Sequence, residues 1–169
     1  ISQQSRPVTG LDAHSSRPHE GVNAVAFAAE IIGFISHLAV EYAGPPHDNI
    51  RFDPPGTTFN IGTIEGGSAV NIVARECTFK WEFRPTPGTD RQTILDRVDA
   101  FIDTEILPRM HAVDPDAGVE TTVKVTAPTL DSNPESLAVE FALRLAGANR
   151  TGAASYVCEA GLFAEVGIP

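Results

Sequence analysis

The stretch Glu76–Arg84, Glu-Cys-Thr-Phe-Lys-Trp-Glu-Phe-Arg, leaves the backbone few options. In an extended chain Cys77, Phe79, Trp81 and Phe83 share one side, and Thr78, Lys80, Glu82 and Arg84 share the other. A helix would scatter those aromatic rings around its circumference, whereas a strand collects them on one face. The chain must therefore build a sheet with an apolar face, and other elements must cover that face. Pro85 and Pro87-Gly88 stop the strand.

Two helices are available as cover. Val22 to Tyr42 reads as the first. Val25, Ala29, Ile32, Ser36 and Ala39 recur at helical steps, and Phe27, Ile31, Phe34 and Leu38 form a second stripe. A helix apolar on two faces is buried on more than one side. Gly44-Pro45-Pro46 ends it. Thr89-Asp90-Arg91-Gln92 fits a capping box that opens the second helix, which carries Ile94, Leu95, Val98, Phe101, Ile102 and Leu107. Pro108 is expected to kink or end it.

Three more strands fit the pattern: Gln4 to Ala13, Thr58 to Glu65 with a turn or bulge at Gly66-Gly67, and Val119 to Ala127. In the last, Val119, Thr121, Val123 and Val125 share a face. The order strand, helix, strand, strand, helix, strand predicts an α+β fold of the ferredoxin-like, split βαβ type. It has one four-stranded antiparallel sheet with both helices on one face, over residues 1–127. Residues 128–169 read as a different piece: a helix from Asn133 to Ala146 capped by Asn133, a strand from Ala153 to Cys158 and a short helix from Ala160 to Val166. So short a piece cannot bury a core alone, and it is expected to be an incomplete part of an α/β neighbour. Ile1 begins in mid-pattern, and Gly167-Ile168-Pro169 stops where a strand should follow. The expectation is a segment of a longer protein.

A net charge of -10 excludes a surface built for nucleic acid or for an anionic membrane. No apolar run approaches the ~20 residues that span a bilayer, and no signal pattern opens the chain. Cys77 and Cys158 are far apart in apolar surroundings and read as reduced thiols.

The chemistry-bearing stretch is Gly10-Leu-Asp-Ala-His14-Ser-Ser-Arg-Pro18-His-Glu-Gly21-Val-Asn23-Ala. It leaves a strand, crosses a polar turn and enters the apolar helix. A histidine on such a lip can meet a ligand, although turn histidines are more often solvated or caps. His19 shares the turn with no further support. The histidines at 14, 19, 37, 47 and 111 lack ligand spacing such as HExxH, so no metal site is expected within the chain. Ser15 and Ser16 beside His14 do not make a serine hydrolase, because sequence neighbours rarely reach attack geometry and no Gly-x-Ser-x-Gly elbow is present. Arg84 reads as a solvated strand residue paired with Glu82, or as a fork for a carboxylate. Asn71 reads as a turn residue or a substrate-binding amide. Glu159 reads as a helix N-terminal acid or a ligand contact.

Three motifs carry a resemblance: Gly10 to Ala24; Asn60-Ile-Gly-Thr-Ile-x-Gly66-Gly67-x-Ala-x-Asn71-Ile-Val; and Glu82-Phe-Arg84-Pro-x-Pro-Gly88. Together they resemble the lid, or dimerisation, domain of the M20 family of zinc-dependent amidohydrolases. Glu159-Ala-Gly161-Leu-Phe and Gly167-Ile-Pro are similar to the acetylornithine deacetylase branch. The resemblance implies a four-stranded, two-helix lid inserted in a catalytic domain, and a cytoplasmic homodimer formed through the lid. It implies hydrolysis of an N-acyl amino acid, in this branch N2-acetylornithine to ornithine and acetate in arginine biosynthesis. One or two zinc ions, or cobalt, would be held by ligands outside this segment, so the segment alone would be inactive. His14 would stabilise the oxyanion in the partner's site. Arg84 would clamp the substrate carboxylate, and Asn71, Glu159 and Gly161 would bind substrate. Ala74-Arg75 replaces the usual Pro-Asp, and Cys158 stands where threonine or serine is common. The alternatives are a succinyl-diaminopimelate desuccinylase or a metallopeptidase of the same family, and a non-enzymatic ferredoxin-like module for dimerisation or ligand binding.

Overall fold

Glu76–Arg84 is a strand (β3) over its whole predicted length, as the computed structural model of the chain shows. Residues 1–131, 133–156 and 158–168 are described. Phe79, Trp81, Phe83 and Cys77 are buried together, and Phe59 stacks on Trp81 and Phe83. β3 lies between β1 (Ser2–Thr9) and β2 (Thr58–Gly66), antiparallel to both. On its other side β1 pairs with β4 (Gly118–Val119) and β5 (Thr122–Thr126), also antiparallel. The predicted fourth strand is thus two pieces along one edge. Its break follows from Arg6, which binds the Thr121 hydroxyl, and from the Glu120 amide, which donates to Pro7 O. The order is that of the ferredoxin-like sheet.

The first strand is shorter than the Gln4 to Ala13 span predicted. After Thr9 the chain peels away from β3 and makes single bridges from Leu11 to Val22 and from His14 to Ile72. Close contact explains the departure at Gly10, where a Cβ would collide with the Val22 carbonyl. The Gly10 amide donates instead to Arg75 O.

α1 (Ala24–Glu41) opens on Asn23, whose side chain accepts from the Ala26 amide. Ala28, Ile31, Ile35 and Leu38 pack onto the sheet with Ile94, Val98, Ile102 and Ile106 from the second helical stretch, so both helices share one face. By length and composition α1 could cross a membrane, contrary to the expectation that no apolar run comes near that length. Its buried stripe makes it the core helix of the sheet.

The second helix departs from its predicted start. Asp90, not Thr89, is the cap, accepting from the Gln92 and Thr93 amides, and α2 runs Arg91–Phe101. Pro108 does not end the helical path. A π-helical turn, Ile102–Ile106, leads into α3 (Leu107–His111). The wider turn accommodates the missing donor and the ring of Pro108, and it keeps Ile102, Ile106 and Met110 buried. Phe34 stacks on Phe101 at 4.3 Å, and Arg97 and Arg109 reach back to Glu41 and Glu30 on α1.

β1 holds the feature least visible in sequence. Gln4 and Arg6 point into the helix-covered side, and Arg6 is 2% exposed against Asp99 of α2 at 2.7 Å. Val123 and Val125 are exposed, and a register shift against β1 falls between their partners Gln4 and Gln3.

The last stretch carries α4 (Leu137–Ala146) and α5 (Ala160–Glu165). Ser136 caps α4, while Asn133 closes a turn on the Glu135 amide, which corrects the predicted cap. Ala153 to Tyr156 and Cys158 form no strand, since no neighbour offers them a ladder. Val157 of that predicted strand and Pro169 of the last motif lie outside the described residues.

Candidate functional site

His14 sits where the 10–15 segment runs beside 71–75. The Val73 amide donates to Ala13 O at 2.8 Å and the Ser15 amide to Asn71 O at 3.0 Å. The Arg17 amide closes a turn on His14 O at 2.8 Å. His14 and Asn71 are therefore neighbours across a short antiparallel pairing, both exposed.

The His14 ring is held at one nitrogen. The Ser16 amide approaches Nδ1 at 3.2 Å and the Ser16 hydroxyl at 2.8 Å. A backbone N–H can only donate, so Nδ1 is the acceptor, and a neutral ring carries its proton on Nε2. The structure thus leaves His14 as a solvent-facing donor. A groove adjoins this turn, lined by Asp12, Ile72, Arg75 and Glu76 among others. There Arg75, the departure from the usual Asp, pairs with Asp12 at 3.4 Å.

Arg84 lies at the opposite end of β3. Its Nε and Nη2 both donate to Glu82 Oε1, at 3.0 and 2.9 Å, and Nη1 reaches Ser155 O at 3.3 Å. Burial pushes the Glu82 carboxyl up. Hydrogen bonds from Gln3 and Arg84 outweigh it and hold the group below its ordinary 4.5. An ionised Glu82 then fixes the Arg84 fork. The sequence-level pairing with Glu82 is present, and Arg84 also borders a cleft of about 460 Å³ with Arg51, Thr129, Tyr156 and Cys158. That volume suits a small-molecule ligand.

Glu159 and Gly161 follow Cys158 without lining this cleft. Glu159 begins α5 through its carbonyl, which receives the Leu162 amide at 2.9 Å, and its side chain caps nothing. Gly161 is buried, and a Cβ there would stand 2.7 Å from Pro128 O, so its part is close packing. Cys77 is buried, with its thiol pushed up by desolvation, and Cys158 is exposed; both are free.

The candidates form two groups. His14 and Asn71 stand beyond the Glu76 end of β3, and Arg84 stands at its other end, with Glu159 and Gly161 on that side. Cys77 to Arg84 alone spans about 24 Å at ~3.4 Å per residue. One small substrate cannot touch both groups of one chain. Among the described residues no group of three or more His, Cys, Asp or Glu could hold a metal ion. Sequence reasoning missed Ser16 as a partner of His14 and Cys158 as a cleft residue. The signal for Ser16 was its place two residues after His14 in a turn.

The peptidase dimerisation domain profile matches residues 3–110. The acetylornithine deacetylase of Myxococcus xanthus is 30% identical over 162 residues, which is 95% of this chain and 40% of that protein. The chain thus spans about two fifths of that relative's length. Aminopeptidase PepT from Bacillus cereus shares the fold with a TM-score of 0.70 at 22% identity, over 99% of this chain and 41% of that one. A tripeptidase from Staphylococcus aureus superposes with a TM-score of 0.67 at 27% identity, over 99% of this chain and 42% of that one.

Proposed function

Since the chain belongs to the M20 peptidase family through its dimerisation domain, we propose that residues 1–127 are the lid of an amidohydrolase and residues 128–169 part of its catalytic domain. The full-length enzyme hydrolyses an N-acyl amino acid, with N2-acetylornithine as the preferred substrate. It works as a cytoplasmic homodimer. Its metal, zinc or cobalt, is held by residues outside this chain.

The carrying observation is the separation of the two groups along β3. His14, whose Nε2–H meets no partner among the described residues, serves the partner's site, where it donates to the scissile carbonyl and to the oxyanion that develops on it. Such a preorganised donor is worth about 3 kcal/mol of transition-state stabilisation. Asn71 joins it from the same side. Arg84, oriented by Glu82, clamps the α-carboxylate in the chain's own site. Glu159 faces the substrate amino group beside Gly161. The acetylornithine assignment draws on the relative that matches 95% of the chain. The likeness to the tripeptidase supports a peptidase as second reading.

The test is the full-length enzyme assayed on N2-acetylornithine, N-succinyl-diaminopimelate and a tripeptide. Preference for acetylornithine is expected. Preference for the tripeptide would replace the substrate, and no hydrolysis of any would remove the enzyme reading.

A further inference from the structure

We propose that Ser16 is a positioning residue that sets the tautomer of His14. This rests on the reading of His14 as a carbonyl donor. The Ser16 hydroxyl and amide converge on Nδ1 at 2.8 and 3.2 Å. The amide can only donate, so Nδ1 accepts from it, the hydroxyl then donates to the same nitrogen, and that nitrogen does not bear the proton. The proton is thereby kept on Nε2, which has no partner among the described residues. The turn that aims Ser16 is tied at both ends, by Ser15 N to Asn71 O and by Arg17 N to His14 O. Without the hydroxyl only the amide contact at 3.2 Å still opposes a proton on Nδ1, a weaker bias than both contacts together, and the Nδ1–H tautomer becomes accessible. That tautomer turns a lone pair, not a donor, toward a carbonyl.

Ser16 is exposed, so its truncation opens no cavity. Ser16→Ala removes the hydroxyl and keeps the amide. Ser16→Thr keeps both. In full-length enzyme labelled with 15N-histidine, the His14 signals are those missing from His14→Ala. They should show a bare Nδ1 and a protonated Nε2 in the wild type and in Ser16→Thr, and mixed tautomers in Ser16→Ala. On the best substrate, Ser16→Ala should lower kcat about tenfold, the rate equivalent of one hydrogen bond, with little change in KM. Ser16→Thr should restore the rate. In a His14→Ala background Ser16→Ala should cost nothing further, because its effect passes through the ring.

A proton on Nδ1 in the wild type, an unchanged tautomer in Ser16→Ala, or fully additive rate losses would overturn the proposal. If His14→Ala leaves kcat intact, the reading of His14 fails instead, and the 15N signals still decide whether Ser16 governs the ring.

Discussion

His14 lies on an exposed turn and contributes nothing to the core, while Arg6 is buried and faces no site. His14→Ala in the full-length enzyme should therefore lower kcat by about 10²–10³-fold, as loss of one oxyanion donor does, with bound metal and melting temperature unchanged. Loss of metal would make His14 a ligand. Asp99→Ala should act the other way. It strips the buried Arg6 guanidinium of its carboxylate partner and leaves Thr121 as the remaining side-chain acceptor among the described residues. A buried pair broken on one side costs about 3–5 kcal/mol. Asp99 is half exposed, so the expectation is about 2 kcal/mol by denaturant unfolding. His14 could be singled out in sequence because a histidine in a polar turn is a chemical outlier. Arg6 could not. An inward arginine between Ser5 and Pro7 looks like a solvated strand residue until Asp99 is placed opposite it.

The helices are tied to one another by ion pairs at their surface. Arg97 grips Glu41 with both terminal nitrogens, at 2.6 and 2.8 Å, and Arg109 grips Glu30. Hydrogen bonds from these arginines hold both carboxyls below their ordinary 4.5. A depressed folded value means the stabilisation is complete above the unfolded pKa and is lost as pH falls through the folded one. The melting temperature should thus fall on acidification below about pH 4.5, and Glu41→Gln should show a smaller acid loss than the wild type. A second variant tests the tail. Gly161→Ala should shift α5 away from Pro128, readable as faster proteolysis between Thr129 and Glu159. β3 was legible to the residue because its alternation is strict. The start of α2 was not, because Thr89 and Asp90 are both competent caps and only backbone direction selects between them. Pro108 misled for a similar reason. A proline marks a missing donor, and a π-turn is one of several ways to accommodate it.

Over the whole molecule, β2 forms one edge of the sheet, and Val40 of α1 is 79% and Ile64 of β2 54% exposed. A lid that dimerises by joining these edges across a two-fold axis would cover both. The full-length protein should sediment as a dimer at about ten micromolar, and Ile64→Lys should shift it toward monomer. The order of strands and helices, and so the fold, was readable from periodicity. The separation of His14 and Asn71 from Arg84 was not, since it needs the direction of β3 in space. That separation underlies the claim that each active site draws on two chains. Mixing two inactive full-length variants, His14→Ala and Arg84→Ala, under conditions that exchange subunits tests it most directly. A mixed dimer then holds one site with both Arg84 and the partner's donor intact, and activity should return to roughly a quarter of the wild-type level. No recovery after demonstrated exchange would place His14 and Arg84 of one chain in the same site and contradict the account.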